Sequence, residues 1–135
     1  TPEEIGLVEK AVVALGAQMK HPAIDVIGGT SEPATYDAIR WLINEKGHQR
    51  VGFISTLDNM PPGPSRLAGY QRAMTEANLP IEEGFIQHSE FTIDGGRCAM
   101  QTFIKQPNPP TAIFTANSLM GIGAILAVRE AGYNY

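Results

Sequence analysis

Two arrangements of apolar residues alternate along the chain, one typical of buried strands and the other of helices. Short segments of strand length that contain apolar pairs or runs lie at residues 23–27, 51–54, 84–88 and 111–115, of which 84–88 is the weakest candidate. Apolar residues at steps of three and four predict helices over residues 33–46, 65–77, 94–106 and 118–131. This alternation predicts right-handed crossovers and a parallel sheet with helices on both faces, a three-layer αβα Rossmann-like fold of the α/β class.

The first segment is expected to be a helix without a strand before it. Thr1 and Glu4 have the spacing of a capping box, and Pro2 lies at a first-turn position where its missing N–H costs nothing. An apolar stripe follows at helical steps: Ile5, Val8, Val12, Leu15 and Met19. Because the chain starts on this helix and stops at residues 133–135, where one more strand is due, both ends are expected to be cut from a longer protein.

The transition from helix to strand near residue 47 combines several signals. Gly47 lies where a helix needs a left-handed C′ residue, and the tips of His48 and Arg50 are expected to meet the last helical carbonyls. The strand expected at residues 51–54 is followed by a polar loop over residues 55–59, which opens with Ser55 and Thr56. Open α/β sheets bind their ligands beyond the carboxyl ends of their strands, so the first functional expectation is a small-molecule crevice.

Proline and small polar residues mark where two later helices begin. Residues 59–64 are too rich in proline for a helix or a ladder strand and predict a stiff, exposed loop. Ser65 is expected to cap the next helix, and Asp94 with two glycines is expected to start the one after it.

Composition limits the class of protein. A chain of 135 residues with 43% apolar and 18% charged residues is typical of a globular protein. Its net charge of −4 argues against nucleic-acid binding by this chain alone. Its single cysteine, Cys98, excludes an intrachain disulfide and suits a reducing compartment. The sequence has no run of 18 or more apolar residues and no signal pattern at its start, so no membrane segment is expected.

No catalytic constellation is visible, and the sequence predicts a protein that is not an enzyme. His21, His48 and His88 are scattered, and Cys98 lies mid-helix without an obvious base. No metal-ligand spacing occurs, and residues 121–123 place their two glycines inside a helix rather than in a dinucleotide loop. Neither a metal nor a cofactor is therefore expected.

Four stretches, in order, resemble the effector-binding domain of the LacI/GalR family of bacterial transcription repressors. They are LINEKGHQRVGFI (residues 42–54), SRLAGY (65–70), PPTAIF (109–114) and NSLMGIGAI (117–125). The resemblance implies a periplasmic-binding-protein-like fold of type I, here partial, with two subdomains that close on a small effector. It implies that residues 1–47 end the first subdomain and residues 48–135 form most of the second.

The resemblance also implies partners and a location. A DNA-binding domain, absent from this chain, would precede it in a cytoplasmic repressor that senses a sugar or nucleoside-like metabolite and acts as a homodimer. The last helix, crowded by Met120, Ile122, Ile125 and Leu126, would lie in the dimer interface, unless the rest of its own domain buries it. A periplasmic sugar-binding protein of a transport system is the alternative function, since it shares the fold.

Arg66 and Asn117 match the family's effector contacts. The guanidinium of Arg66 presents a planar fork of donors, which suits two hydroxyls or a carboxylate; a surface arginine beside a helix start is the plain alternative. The amide of Asn117 can donate to and accept from a hydroxyl, although asparagine is also a common helix cap.

Phe91, Ser55 and Thr56 complete the predicted ligand-binding set. Phe91 is preferred over Phe114 as a ring for an apolar sugar face, because Phe114 lies inside a strand. Asp58 follows as a polar group whose simpler interpretation is a solvated loop. Two departures from the family pattern put a sugar effector in doubt, because Gly29 and Ser118 stand where many members carry aspartates.

Overall fold

The computed structural model describes residues 12–15, 24–27, 29, 31–57 and 61–133, in two compact units that comprise residues 1–30 and 31–135. The strands are β1 (Val12–Leu15), β2 (Ile24–Ile27), β3 (Val51–Thr56), β4 (Ile86–Ser89) and β5 (Ala112–Thr115). The helices are α1 (Ser31–Asn44), α2 (Gly63–Glu76), α3 (Ile93–Ile104) and α4 (Ser118–Glu130).

The first unit contains a parallel pair of strands, β1 and β2, with Val12 opposite Ile24 and Leu15 opposite Ile27. The strand predicted at residues 23–27 is confirmed at residues 24–27. The predicted first helix is wrong at residues 12–15, where four consecutive apolar residues, two of them β-branched, form a strand instead. The rest of that predicted helix, including its capping box, lies outside the described residues.

The second unit is built on a three-stranded parallel sheet in the order β4–β3–β5. Phe53 of β3 lies opposite both Ile86 of β4 and Phe114 of β5, and this pairing fixes the register of the three strands. All six residues of β3 are buried, as expected for a central strand that is covered on both faces.

Neighbouring residues of β3 face two different hydrophobic cores. Phe53 packs with Tyr70 and Met74 on the side of α1 and α2. Ile54 packs with Phe103 and Met120 on the side of α3 and α4. Because successive side chains of a strand point to opposite faces, helices cover both sides of the sheet, and the predicted three-layer αβα arrangement is confirmed.

Gly47 ends α1 in the predicted way, with φ of +73°. The N–H of Gly47 donates to the carbonyl of Ile43 at 3.2 Å and that of His48 to the carbonyl of Leu42 at 3.1 Å, so two of the last helical carbonyls are satisfied by the backbone. These backbone bonds use the helical carbonyls that the His48 and Arg50 side chains were expected to meet. The two side chains instead bond residues of the loop before β5, Thr111 and Pro109 respectively.

The start of α2 differs from the prediction, because Ser65 does not cap it. The helix begins at Gly63 after Pro62, without a side-chain cap, and Pro64 occupies its first turn, where a fixed φ and a missing N–H are tolerated. A Cβ at Gly63 would overlap the hydroxyl oxygen of Thr56. Glycine at this position therefore lets α2 begin directly against the end of β3.

The boundaries of α3 and α4 agree closely with those predicted from the sequence. The α3 helix begins at Ile93, one residue before the predicted start, because Thr92 caps it by accepting from the N–H of Gly95 at 2.9 Å. The α4 helix begins at Ser118 as predicted and ends before Gly132, whose φ is +79°. No helix in the described ranges is long and apolar enough to span a membrane.

The α1 helix belongs to the same compact unit as the three-stranded sheet. It packs on α2, where Arg72 pairs with Glu32 at 2.8 Å. The assignment of residues 1–47 and 48–135 to two effector subdomains stays a prediction, although α1 lies before that boundary and packs with α2, which lies after it.

Candidate functional site

The carboxyl ends of the three strands in the second unit meet at one edge of the sheet. Thr56 lies opposite Ser89, and the N–H of Ala116 donates to the carbonyl of Ile54 at 2.8 Å. The five predicted site residues all lie at or just beyond this edge: Ser55, Thr56, Arg66, Phe91 and Asn117. We call it the carboxyl edge; it is where open α/β sheets bind their ligands.

Arg66 is held against the end of β5. It lies near the start of α2, is half-buried, and donates from Nη1 to the carbonyl oxygen of Ala116. That carbonyl precedes Asn117, so the structure brings the two predicted effector contacts together. No carboxylate among the described residues pairs with Arg66, whereas Arg72 and Arg97 both have one.

Asn117 is buried, with 9% of its surface exposed, and it is the N-cap of α4. Its Oδ1 accepts from the N–H of Met120 at 2.9 Å. The helix-cap interpretation is therefore correct for the oxygen. Its Nδ2 is also buried and has no hydrogen-bond partner in the described part of the chain. A buried donor without a partner costs about 1–3 kcal/mol, so a polar ligand atom at this position would relieve a real penalty.

Ser55 and Thr56 lie deeper than the sequence suggested. They are 2% and 1% exposed, so they form the floor of the carboxyl edge rather than its mouth. The backbone oxygen of Thr56 lies 3.1 Å from Nδ1 of His88. His88 was not singled out for this edge from the sequence, because an isolated histidine on a weak strand carries no spacing signal.

Phe91 and Phe114 have different environments. Phe91 follows β4 and is 36% exposed, so its ring is available at the carboxyl edge. Phe114 stacks on Phe53 with ring centroids 5.6 Å apart and belongs to the core. The side chain of Asp58 lies outside the described residues.

Among the described residues, the charge balance at the carboxyl edge favours anions. The N-termini of α2, α3 and α4 all lie there, and each carries partial positive charge. Arg66 adds a full positive charge beside α4. The two carboxylates that follow β4, Glu90 and Asp94, are exposed to solvent. Over the described ranges, no three His, Cys, Asp or Glu side chains come close enough together to hold a metal ion.

An apolar groove in the described part of the second unit lies away from these residues. It has a volume of about 600 Å³ and runs beside β5. Its walls come from α3, β5 and α4 and include Phe103, Ile113, Ile125, Val128 and Tyr133. Neither Arg66 nor Asn117 lines it, so it is separate from the candidate site.

The parallel sheet with two helical layers defines a three-layer α/β domain, and polar side chains gather at its carboxyl edge. Residues 42–134 match the family described as "Periplasmic binding protein-like domain". The chain belongs to this family, in the form found in the effector-binding domains of LacI-type transcriptional regulators.

Curated relatives agree with this assignment. The HTH-type transcriptional regulator AglR of Rhizobium meliloti (strain 1021) is 33% identical over 119 residues, which are 88% of this chain and 32% of that protein. The HTH-type transcriptional repressor PurR of Escherichia coli O139:H28 is 39% identical over 97 residues, 72% of this chain and 28% of that protein. The chain thus spans about a third of the length of these relatives.

Solved structures agree as well. A regulatory protein of the LacI family from Chloroflexus aggregans has a TM-score of 0.77 and 34% identity, covering 89% of this chain and 43% of that one. A transcriptional regulator from Yersinia pestis biovar Microtus str. 91001 also has a TM-score of 0.77, with 31% identity over 90% of this chain and 43% of that one. These relatives are regulators, not enzymes or transport proteins.

Proposed function

We propose that this chain is part of the effector-binding domain of a LacI-type repressor and that its carboxyl edge contacts a small metabolite. The observation that carries the proposal is the pair formed by Arg66 and Asn117. Among the described residues, the half-buried guanidinium of Arg66 has no carboxylate partner and bonds the backbone carbonyl that precedes Asn117, whose buried amide nitrogen has no partner at all. Both groups are donors, and both would gain a bond from a polar ligand.

The other predicted contacts fit the same ligand. Phe91 offers an exposed ring that can cover an apolar face, while Ser55 and Thr56 close the floor beneath it. In this proposal the first subdomain supplies the opposite wall of the crevice. Binding then favours the closed arrangement of the two subdomains, because only that arrangement lets both walls contact the effector.

The complete regulator would act on DNA through a domain outside this chain. Effector binding would change DNA affinity through linkage, since a ligand that prefers one arrangement shifts the whole equilibrium toward it. The regulator would work in the cytoplasm as a homodimer. The exposed apolar side chains of α4 would form part of the contact between subunits: Leu119, Ile122, Ile125 and Leu126.

Isothermal titration calorimetry of the natural protein with pentoses, hexoses, nucleosides and purines tests the proposal. With the ligand that binds, Arg66→Ala should weaken affinity at least about tenfold, because polar ligand groups lose their partner. Arg72→Ala is the matched control, since Arg72 lies on the same helix but pairs with Glu32. Equal affinities for the natural protein and both variants would remove Arg66 from the site.

A further inference from the structure

Around Asn117, the nearest acceptor oxygens each already accept a hydrogen bond, whereas the Nδ2 of Asn117 has no partner in the described residues. Its Oδ1 accepts from the N–H of Met120 at 2.9 Å, so the amide offers a ligand only its Nδ2 hydrogens. The carbonyl of Ala116 accepts from Arg66. The carbonyl of Asn117 accepts from the N–H of Gly121 and from the hydroxyl of Thr115, each at 3.1 Å.

This imbalance selects among ligand groups. A neutral hydroxyl can accept from Nδ2, but its own hydrogen then has to share an oxygen that already accepts, because each of the three oxygens nearest in sequence has at least one donor. A carboxylate or phosphate oxygen has lone pairs only and needs no acceptor. Hydrogen bonds to an ionised acceptor are also roughly twice as strong as those between neutral groups.

The local charge points to the same class of ligand. Arg66 bears a positive charge that no described carboxylate neutralises, and the N-terminus of α4 adds the positive end of a helix dipole. Ser118, the first residue of that helix, is uncharged. Glu90 and Asp94 follow β4, which β3 separates from β5, and both are exposed where solvent screens them.

We infer that the corner formed by Arg66, the Nδ2 of Asn117 and the N-terminus of α4 binds an oxyanion of the effector. The effector would then be an acidic metabolite such as a sugar acid or a sugar phosphate, rather than a neutral sugar. This inference rests on the proposed function, because it names the chemical class of ligand for the same site.

Calorimetry with matched ligand pairs tests the inference on the natural protein. Glucose is compared with glucuronate, and ribose with ribose 5-phosphate, so that the two arms distinguish a carboxylate from a phosphate. The acidic member of at least one pair should bind at least about tenfold more tightly than its neutral partner, and added salt should reduce the difference.

The Asn117→Asp variant adds a readout that a merely structural role would not change. Aspartate is as good a helix cap as asparagine, so α4 should stay intact, but it replaces the donor with a negative charge. Affinity for the acidic ligand should fall at least about tenfold more than affinity for its neutral partner. Circular dichroism and the unfolding midpoint confirm that the variant is folded.

Three results would overturn the inference. Neutral ligands that bind as tightly as acidic ones would exclude an oxyanion site but leave the effector-binding function standing. Equal losses of both ligand types in Asn117→Asp would show that Asn117 does not select for charge. No binding by any of the four ligands would count against both the inference and the proposed function.

Discussion

The two capped helices of the second unit allow the energy of the unpartnered amide to be measured. Asn117 caps α4 and Thr92 caps α3, each through one bond of 2.9 Å to a backbone N–H. They differ in burial, since Thr92 is exposed and Asn117 is buried. Asn117 also buries an Nδ2 without a partner in the described residues, whereas Thr92 has no amide.

The expected free-energy changes come from these two contributions. Thr92→Ala loses only a cap and should lower the free energy of unfolding by about 1 kcal/mol. Asn117→Ala loses a similar cap but also removes the penalty of a buried unsatisfied donor, about 1–3 kcal/mol, so it should change stability little. Asn117→Ser keeps an oxygen cap and removes the buried amide nitrogen, so it should stabilise the ligand-free protein by about 1 kcal/mol.

Denaturant unfolding of the natural protein and the three variants, without ligand, measures this order. Asn117→Ser should be the most stable, followed by the natural protein and Asn117→Ala together, and then Thr92→Ala. Equal losses in Asn117→Ala and Thr92→Ala, with no gain in Asn117→Ser, would refute the reasoning. The amide would then carry no energetic penalty that a ligand could relieve.

Two further predictions concern packing and pH. Gly123→Ala should destabilise by about 1–3 kcal/mol, because its Cβ would overlap the carbonyl oxygen of Ile93 and lie 2.7 Å from the backbone nitrogen of Arg97. Gly121→Ala, on the same helix, should cost little stability or add some, since its Cβ meets only a side-chain hydroxyl at 3.1 Å. Equal losses in the free energy of unfolding for the two variants would contradict this account. Burial raises the pKa of Tyr70 above its ordinary value of 10.0, so stability should be independent of this group below that pH. Above pH 10, the unfolded chain releases the phenolic proton first, so the free energy of unfolding should fall as pH rises. Tyr70→Phe should reduce that fall in unfolding curves. An unchanged pH dependence in this variant would argue against a raised pKa of Tyr70.

The hydrophobic pattern predicted the second unit well because every element there agrees with its surroundings. Buried runs such as residues 51–54 became parallel strands, and Gly47 ended α1 in the left-handed conformation that its position required. Residues 12–15 failed because two β-branched residues within an apolar run fit both a helical stripe and a buried strand. Periodicity alone does not separate those two structures over so few residues.

The residues of the candidate site were predicted, but their bonding was not. The sequence left Asn117 as either a cap or a ligand contact, and the structure shows the cap on its oxygen and leaves its nitrogen without a partner in the described residues. Arg66 was expected to point into the crevice, and its anchor on the carbonyl of Ala116 has no sequence signal, because any residue supplies a carbonyl. The contact between Gly63 and Thr56 also depends on tertiary packing.

The measurement that tests the central claim most directly is heteronuclear NMR of the isotope-labelled natural protein during titration with the ligand found by calorimetry. Its assigned side-chain signals include Nδ2 of Asn117 and Nε of Arg66. We predict that these two signals shift in proportion to occupancy, because the ligand contacts both groups. Unchanged signals at both residues, with shifts instead at Ile113 and Val128 in the apolar groove beside β5, would contradict the account.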